Sequence, residues 1–201
     1  MSDLPILAEP REGVPPVVNT PDSLTHTCRA LSNGHGPIAI DTERAHGFRY
    51  SPRACLIQLR RDGSGTHLVD PLALGGAVGL KPLAKALAGT QWILHAATQD
   101  MPCLAMDGLR PDDLFDTELA GRLLNLPRVS LGPMVERYCG VTLLKEHSAS
   151  DWSRRPLPRD WQVYAALDVE LLNDLREKIL SDLHEAGKEE WARQELSLIH
   201  I

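Results

Sequence analysis

The chain has 201 residues, 43% of them hydrophobic and 24% charged, the balance of a globular protein of one domain with a sizeable core. Its 21 basic and 27 acidic side chains leave a formal charge of −6, which excludes a wholesale basic coat for nucleic acid or membrane but permits local binding of a nucleic-acid end. No stretch approaches the ~20 apolar residues of a membrane span, and the N-terminus lacks a signal-peptide pattern. The four scattered cysteines (Cys28, Cys55, Cys103, Cys139) show no zinc spacing; these features together predict a cytoplasmic protein with free thiols.

Residues 1–19, rich in Pro and acid and without periodicity, predict an extended arm. A helix follows from Thr20-Pro21-Asp22-Ser23 to Ser32-Asn33-Gly34, where Asn and Gly suit a C-terminal cap. Ile38-Ala39-Ile40-Asp41-Thr42-Glu43 reads as a strand. Residues 44–52 form the turn of a hairpin whose second strand is 54–59, and a third strand at 66–70 follows the turn Asp62-Gly63-Ser64-Gly65. Residues 80–88 predict a helix and 91–95 a short, buried parallel strand. Thr98-Gln99-Asp100 opens another helix with Pro102 in its first turn. A brief strand at Leu114-Phe115 leads through Asp116-Thr117-Glu118 into a helix to about Asn125, and 131–138 is a further helix ended by Cys139-Gly140. A polar connection at 145–157 precedes one long helix from Pro158 to about Ala186-Gly187, with a final helix from Lys188. Three consecutive strands, then alternating helix and strand, predict an α/β fold: a mixed sheet with a three-stranded antiparallel start and flanking helices on both faces. No repeat or second domain is evident. The chain stops inside an apolar run, Leu198-Ile199-His200-Ile201, as a truncated linker or vector-derived tail would.

Strand side chains alternate, so Asp41 and Glu43 share one face two residues apart. Two carboxylates that close repel each other, and a divalent cation resolves the repulsion. Asp100 follows the 91–95 strand at a helix N-terminus, where a carboxylate is favoured. Tyr164 and Asp168 lie four apart on one helix face, separated by the small Ala165 and Ala166, which allow that helix to lie close to the sheet. Hard ions such as Mg²⁺ take carboxylates, water and substrate phosphate, and two of them can hold the attacking and leaving oxygens of an in-line phosphoryl displacement. Four acids from three elements suit that chemistry, with Tyr164 placed to orient the attacking water.

These residues resemble a family. Asp41-Thr42-Glu43, the segment from His95 to Asp100 and Tyr164-x-x-x-Asp168 resemble the three exonuclease motifs of the DEDDy 3′–5′ exonucleases. Leu56-Ile57-Gln58-Leu59, Leu68-Val69-Asp70-Pro71, Phe115-Asp116-Thr117 and Ser150-Asp151-Trp152-Ser153-Arg154-Arg155-Pro156-Leu157 are similar to phrases of ribonuclease D. The resemblance spans about residues 20–185 and implies a ribonuclease H-like fold. It also implies metal-dependent removal of nucleotides from RNA 3′ ends, as in tRNA and structured-RNA processing, with two Mg²⁺ or Mn²⁺ ions on Asp41, Glu43, Asp100 and Asp168. It divides the chain into the arm (1–19), an exonuclease domain (20–187) and a C-terminal helix or linker (188–201), without the helical HRDC-type domains usual in the family.

Around that centre, Arg154 and Arg155 are placed to meet substrate phosphate, with Thr42 beside them as a substrate-binding residue. Lys145, Arg44, Arg49 and Arg53 are lesser candidates for the same task. Phe48 and Tyr50 are candidates to meet a terminal base, whereas Trp152 and Trp161 more readily anchor their loop to the core. His95 suits a structural role and Asp116 a helix cap. Two other readings fit the same residues: a 3′–5′ exonuclease acting on single-stranded DNA, since a contact to the 2′-hydroxyl is not visible in sequence, and a non-catalytic RNA-binding module. A monomer is the expected state.

Overall fold

A computed structural model describes residues 4–45, 52–144 and 150–198, with side chains to residue 195. Its centre is a six-stranded sheet in the order β2 (Val17–Val18), β5 (Gly65–Val69), β4 (Leu56–Asp62), β3 (His35–Glu43), β6 (Gln91–Leu94) and β7 (Asp113–Asp116). Only β4 runs against its neighbours: β3–β4–β5 is the antiparallel start, while β6 and β7 continue parallel to β3. Strands β3, β5, β6 and β7 therefore end along one edge of the sheet, where open α/β sheets place their ligands.

Alternation along β3 divides the core. Ile38 and Ile40 face one side, joining Leu24 and Leu31 of α1 (Pro21–Asn33), Leu83 and Leu87 of α2 (Lys81–Leu87) and Leu104 of α3 (Met101–Met106). Ala39 faces the other, under α4 (Thr117–Leu123), α5 (Leu131–Cys139), α6 (Arg159–Glu170) and α7 (Leu172–Glu185). Helix α1 begins in a capping box between Thr20 and Ser23, which satisfies donors that a helix start leaves open. Helix α8 (Glu189–Leu198) packs against β7, α4 and α7, with Ala192 buried in the same cluster as Ala39.

Two expectations change. The single long helix is two: Leu171 leaves helical geometry (φ −112°, ψ 5°), and this bend lets the adjacent Leu171 and Leu172 both enter the core. Helix α6 thereby crosses β3, β4 and β5 while α7 lies over β3 and β6. The N-terminal segment is extended as expected but enters two sheets. Ile6–Leu7 (β1) pairs with Thr142–Leu143 (β8), and β2 forms an edge of the main sheet on β5. No helix among the described residues is long and apolar enough to cross a membrane.

Candidate active site

The end of β3 carries the acids. Asp41, half-buried, and Glu43, 8% exposed, project to the side covered by α6. One ligand atom from each of Asp41, Glu43 and Asp168 can be chosen so that all lie within 4.8 Å of one another. Ala165 and Ala166, fully buried, keep α6 near enough to the sheet for Asp168 to reach the pair. The Tyr164 hydroxyl hydrogen-bonds the Asp168 carboxylate.

Crowding of like charge is the dominant electrostatic fact here. Burial, then the Asp100 and Asp168 charges, push the Asp41 carboxyl well above the usual range. The same burial, with Asp41, Asp168 and Asp100 nearby, pushes Glu43 up to about 10. Asp168 is pushed up to about 7 by burial, against the Tyr164 hydrogen bond that favours its charged form. Burial and these three carboxylates also push the Tyr164 phenol up, so it is neutral at pH 7. Arg44 counts against the repulsion at Asp41 and Glu43 but does not cancel it. Oxygen donors converging without enough positive charge match the needs of a hard divalent cation.

Asp100 joins from beyond β6. A 3₁₀ turn, Ala97–Gln99, leads to it, and Ala96 before that turn sits at φ 57°, ψ 51°, a left-handed conformation uncommon for a residue with a Cβ. The turn is held by Asp116, whose carboxylate accepts from the backbone N–H groups of Ala96 (3.1 Å) and Ala97 (2.9 Å), and also from those of Glu118 and Leu119 at the start of α4. Asp116 is thus a cap, as its position predicts, and a clamp on the neighbouring turn as well. Asp100 precedes α3 but makes no side-chain cap bond. Its carboxylate instead accepts from Thr42 Oγ1 at 2.6 Å and lies 3.5 Å from Arg44 Nη2, while Arg44 Nη1 donates to the Gln99 carbonyl. Acids, Thr42, Arg44, His95 and Tyr164 line one open cleft of about 410 Å³.

The remaining sequence candidates separate. Thr42 is 5% exposed, and its hydroxyl donates a hydrogen bond to Asp100 that orients the acid. Arg155 is likewise spent within the protein: Nε meets Asp70 at 2.6 Å, Nη2 meets the Cys55 carbonyl at 2.7 Å, and Nη1 meets the Trp152 and Arg154 carbonyls. These bonds fasten its loop to the sheet, although both Arg154 and Arg155 reach the surface. Trp152 is fully buried against Trp161 and Tyr164, their ring centroids 5.2 and 6.1 Å away, anchoring the loop as expected. His95 Nδ1 is 2.9 Å from Thr117 Oγ1 and the ring is kept neutral by burial, a structural setting. Phe48, Tyr50, Arg49 and Lys145 lie outside the described residues. Sequence reasoning missed the Arg44 bond to Asp100 and the Arg155 bond to Asp70. For the second pair the signal was there in two family-like phrases, 68–71 and 150–157, whose contact is long-range.

Comparison with known proteins agrees with this geometry. A family model described as 3′–5′ exonuclease matches residues 15–184. Ribonuclease D of Zymomonas mobilis is 36% identical over 186 residues, covering 90% of this chain and 47% of the relative. A Bifidobacterium adolescentis protein of known structure superposes with a TM-score of 0.93 at 49% identity, over 97% of this chain and 47% of that one. The structure of Escherichia coli RNase D, described as an exoribonuclease involved in structured RNA processing, superposes with a TM-score of 0.80 at 32% identity, over 92% of this chain and 49% of its own. The chain spans about half the length of these relatives. Its fold is that of the ribonuclease H-like exonucleases, and the chain belongs to the 3′–5′ exonuclease family, beside ribonuclease D.

Proposed function

We propose that this chain carries the catalytic unit of a 3′–5′ exoribonuclease that shortens structured RNAs, tRNA precursors among them, from a free 3′ end. The observation that supports it most is the convergence of Asp41, Glu43 and Asp168 within 4.8 Å at the strand edge, in a chain of this family. Asp41, Glu43, Asp168 and Asp100 would hold two divalent cations, Mg²⁺ or Mn²⁺. Bound there, such ions stabilise charge on the attacking and leaving oxygens of a phosphodiester.

The chain's own residues do the rest. Tyr164, neutral at pH 7 and bonded to Asp168, orients the incoming water through its hydroxyl and does not serve as a base. Thr42 and Arg44 keep Asp100 turned into the cleft, and the turn clamped by Asp116 keeps its backbone there. The open cleft admits a single-stranded end, and exposed Arg154, in the loop before α6, is assigned a contact to the phosphate backbone of that RNA. Four free thiols suit a reducing cytoplasm, and we assign the working unit as a monomer.

The test is a 5′-labelled single-stranded RNA with a free 3′-hydroxyl, incubated with Mg²⁺ or Mn²⁺ beside a matched DNA. A metal-dependent ladder shortening from the 3′ end, stronger on RNA and absent with Asp41→Ala, is the expected result. Turnover retained by Asp41→Ala would overturn the assignment, and a ladder only on DNA would move the substrate class. Tyr164→Phe should lower the rate about a hundredfold, the scale for losing the alignment of a reacting group, with cation affinity held within a few-fold.

A further inference from the structure

Directly across from Asp41 in the β3–β4 ladder stands Gln58. Residues paired this way across an antiparallel ladder project to the same face, with Cβ atoms about 4.5–5.5 Å apart. Gln58 therefore points to the side of Asp41, beneath α6, which crosses both strands. Its other ladder partner is Leu68 on β5, and Leu56, two residues before it on that face, belongs to the apolar cluster with Leu68, Ala165 and Ala166.

An apolar side chain would fill this position at no electrostatic cost. The chain instead places there an amide that is 0% exposed, and neither Nε2 nor Oε1 has a hydrogen-bond partner among the described residues. A buried donor or acceptor without a partner destabilises the fold, so a packing role alone leaves Gln58 unexplained. Asp41 is within reach. Its carboxylate has up to four lone-pair directions, of which a cation would take one or two, and carboxylates that ligate metals are themselves held by hydrogen bonds from behind. A glutamine side chain is long enough to cross the ladder spacing and carries a donor at its tip.

From this juxtaposition we infer that Gln58 is the positioning residue for Asp41: its side-chain amide, without a partner among the described residues, turns to donate to the inner oxygen of the Asp41 carboxylate once a divalent cation draws that carboxylate into the cleft, and holds it there. Resting on the metal reading above, this adds a buried residue of β4 to a centre otherwise supplied by β3, the turn after β6 and α6. Gln58 touches neither substrate nor cation.

Binding of Mn²⁺ alone, followed by calorimetry at pH 7 without RNA, tests it on three proteins: the parent, Gln58→Met and Leu68→Met. Methionine matches glutamine in length and removes the donor; Leu68, equally buried across the ladder, controls for repacking. Gln58→Met should weaken Mn²⁺ binding at least about tenfold, the lower end for loss of a group supporting a metal ligand. Its metal-free melting temperature should equal or exceed the parent's, because the orphan amide is gone. Leu68→Met should bind within twofold of the parent. Unchanged affinity in Gln58→Met, or equal weakening in both variants, overturns the inference while leaving the metal site in place. A parent that fails to bind Mn²⁺ overturns the metal reading and this inference together.

Discussion

Acids stand at the same-edge ends of three strands of one sheet, in two opposite electrostatic settings. At the end of β7, Asp116 accepts four backbone N–H groups; just past β5, Asp70 accepts the N–H groups of Leu72 and Ala73 and pairs with Arg155. On β3, Asp41 and Glu43 face Asp168 and each other, and each loses more from burial and like charge than Arg44 returns. Position is shared, so it alone does not identify a working carboxylate. The donors around it do: an acid surrounded by N–H groups holds the fold, and an acid surrounded by acids awaits a cation.

The largest effect that divides the two kinds comes from removing one charge of each. Asp41→Asn should lower RNA hydrolysis by about a thousandfold, as loss of a preorganised electrostatic group does, yet raise the metal-free melting temperature by about 2–5 °C, since one repelling charge disappears. Asp116→Ala should act in the opposite sense. Four backbone donors lose their acceptor, at about 1–3 kcal/mol for each that stays buried and unpaired, so a loss of about 3 kcal/mol and a melting point lower by about 6–12 °C is expected. Thermal melts with chelator present, beside the RNA assay, read both. A melting point that falls in Asp41→Asn would break the contrast.

The next effect is set by pH. Asp168 moves from an ordinary 3.8 to about 7 on folding and Glu43 from 4.5 to about 10. Between the unfolded and folded values the native chain binds more protons than the unfolded one, so stability falls as pH rises. Metal-free protein should melt several degrees lower at pH 8 than at pH 5. Saturating Mg²⁺ should raise the melting point more at pH 8 than at pH 5, because it binds the charged carboxylates that high pH supplies. Asp41→Asn should flatten both trends, and a metal-free protein that melts higher at pH 8 would contradict the crowded-acid account.

How far these features were legible in the sequence follows from their range. Asp41-x-Glu43 and Tyr164-x-x-x-Asp168 are local words whose spacing places two side chains on one face of a strand or helix, and the hairpin turns carry their glycines at 63 and 65. The helix break at Leu171 has no local mark: neither Pro nor Gly is present, and only the competing claims of β3–β5 and β6 on successive leucines bend the chain. Two-residue strands such as Val17–Val18 and Thr142–Leu143 are too short for periodicity and are defined by their partners alone. Asp100 was legible as a site acid from its family-like segment, but nothing local shows that Thr42, 58 residues earlier, is what holds its carboxylate. Gln58 stood in plain view inside Leu56-Ile57-Gln58-Leu59, but its neighbour Asp41 is set by ladder register, which no single strand encodes.

Adjacent arginines give the smallest and finest version of the same comparison. Both are exposed, but Arg155 neutralises buried Asp70 and closes three carbonyls. Arg155→Ala should cost about 2 kcal/mol, since it strands a buried carboxylate whose turn N–H bonds only partly compensate, and lower the melting point by about 5 °C. Arg154→Ala should leave the melting point within about 1 °C, as surface substitutions do, and act on RNA alone. If it meets one phosphate, the dependence of log affinity on log salt should become shallower by about 0.7, the value for one contact on a single strand, with the rate at saturating RNA unchanged. Filter binding of Asp41→Asn protein, with and without Arg154→Ala, over a range of KCl measures the slope without hydrolysis. An unchanged slope would remove Arg154 from the RNA path, leaving this loop, like Asp70 beneath it, wholly to the fold.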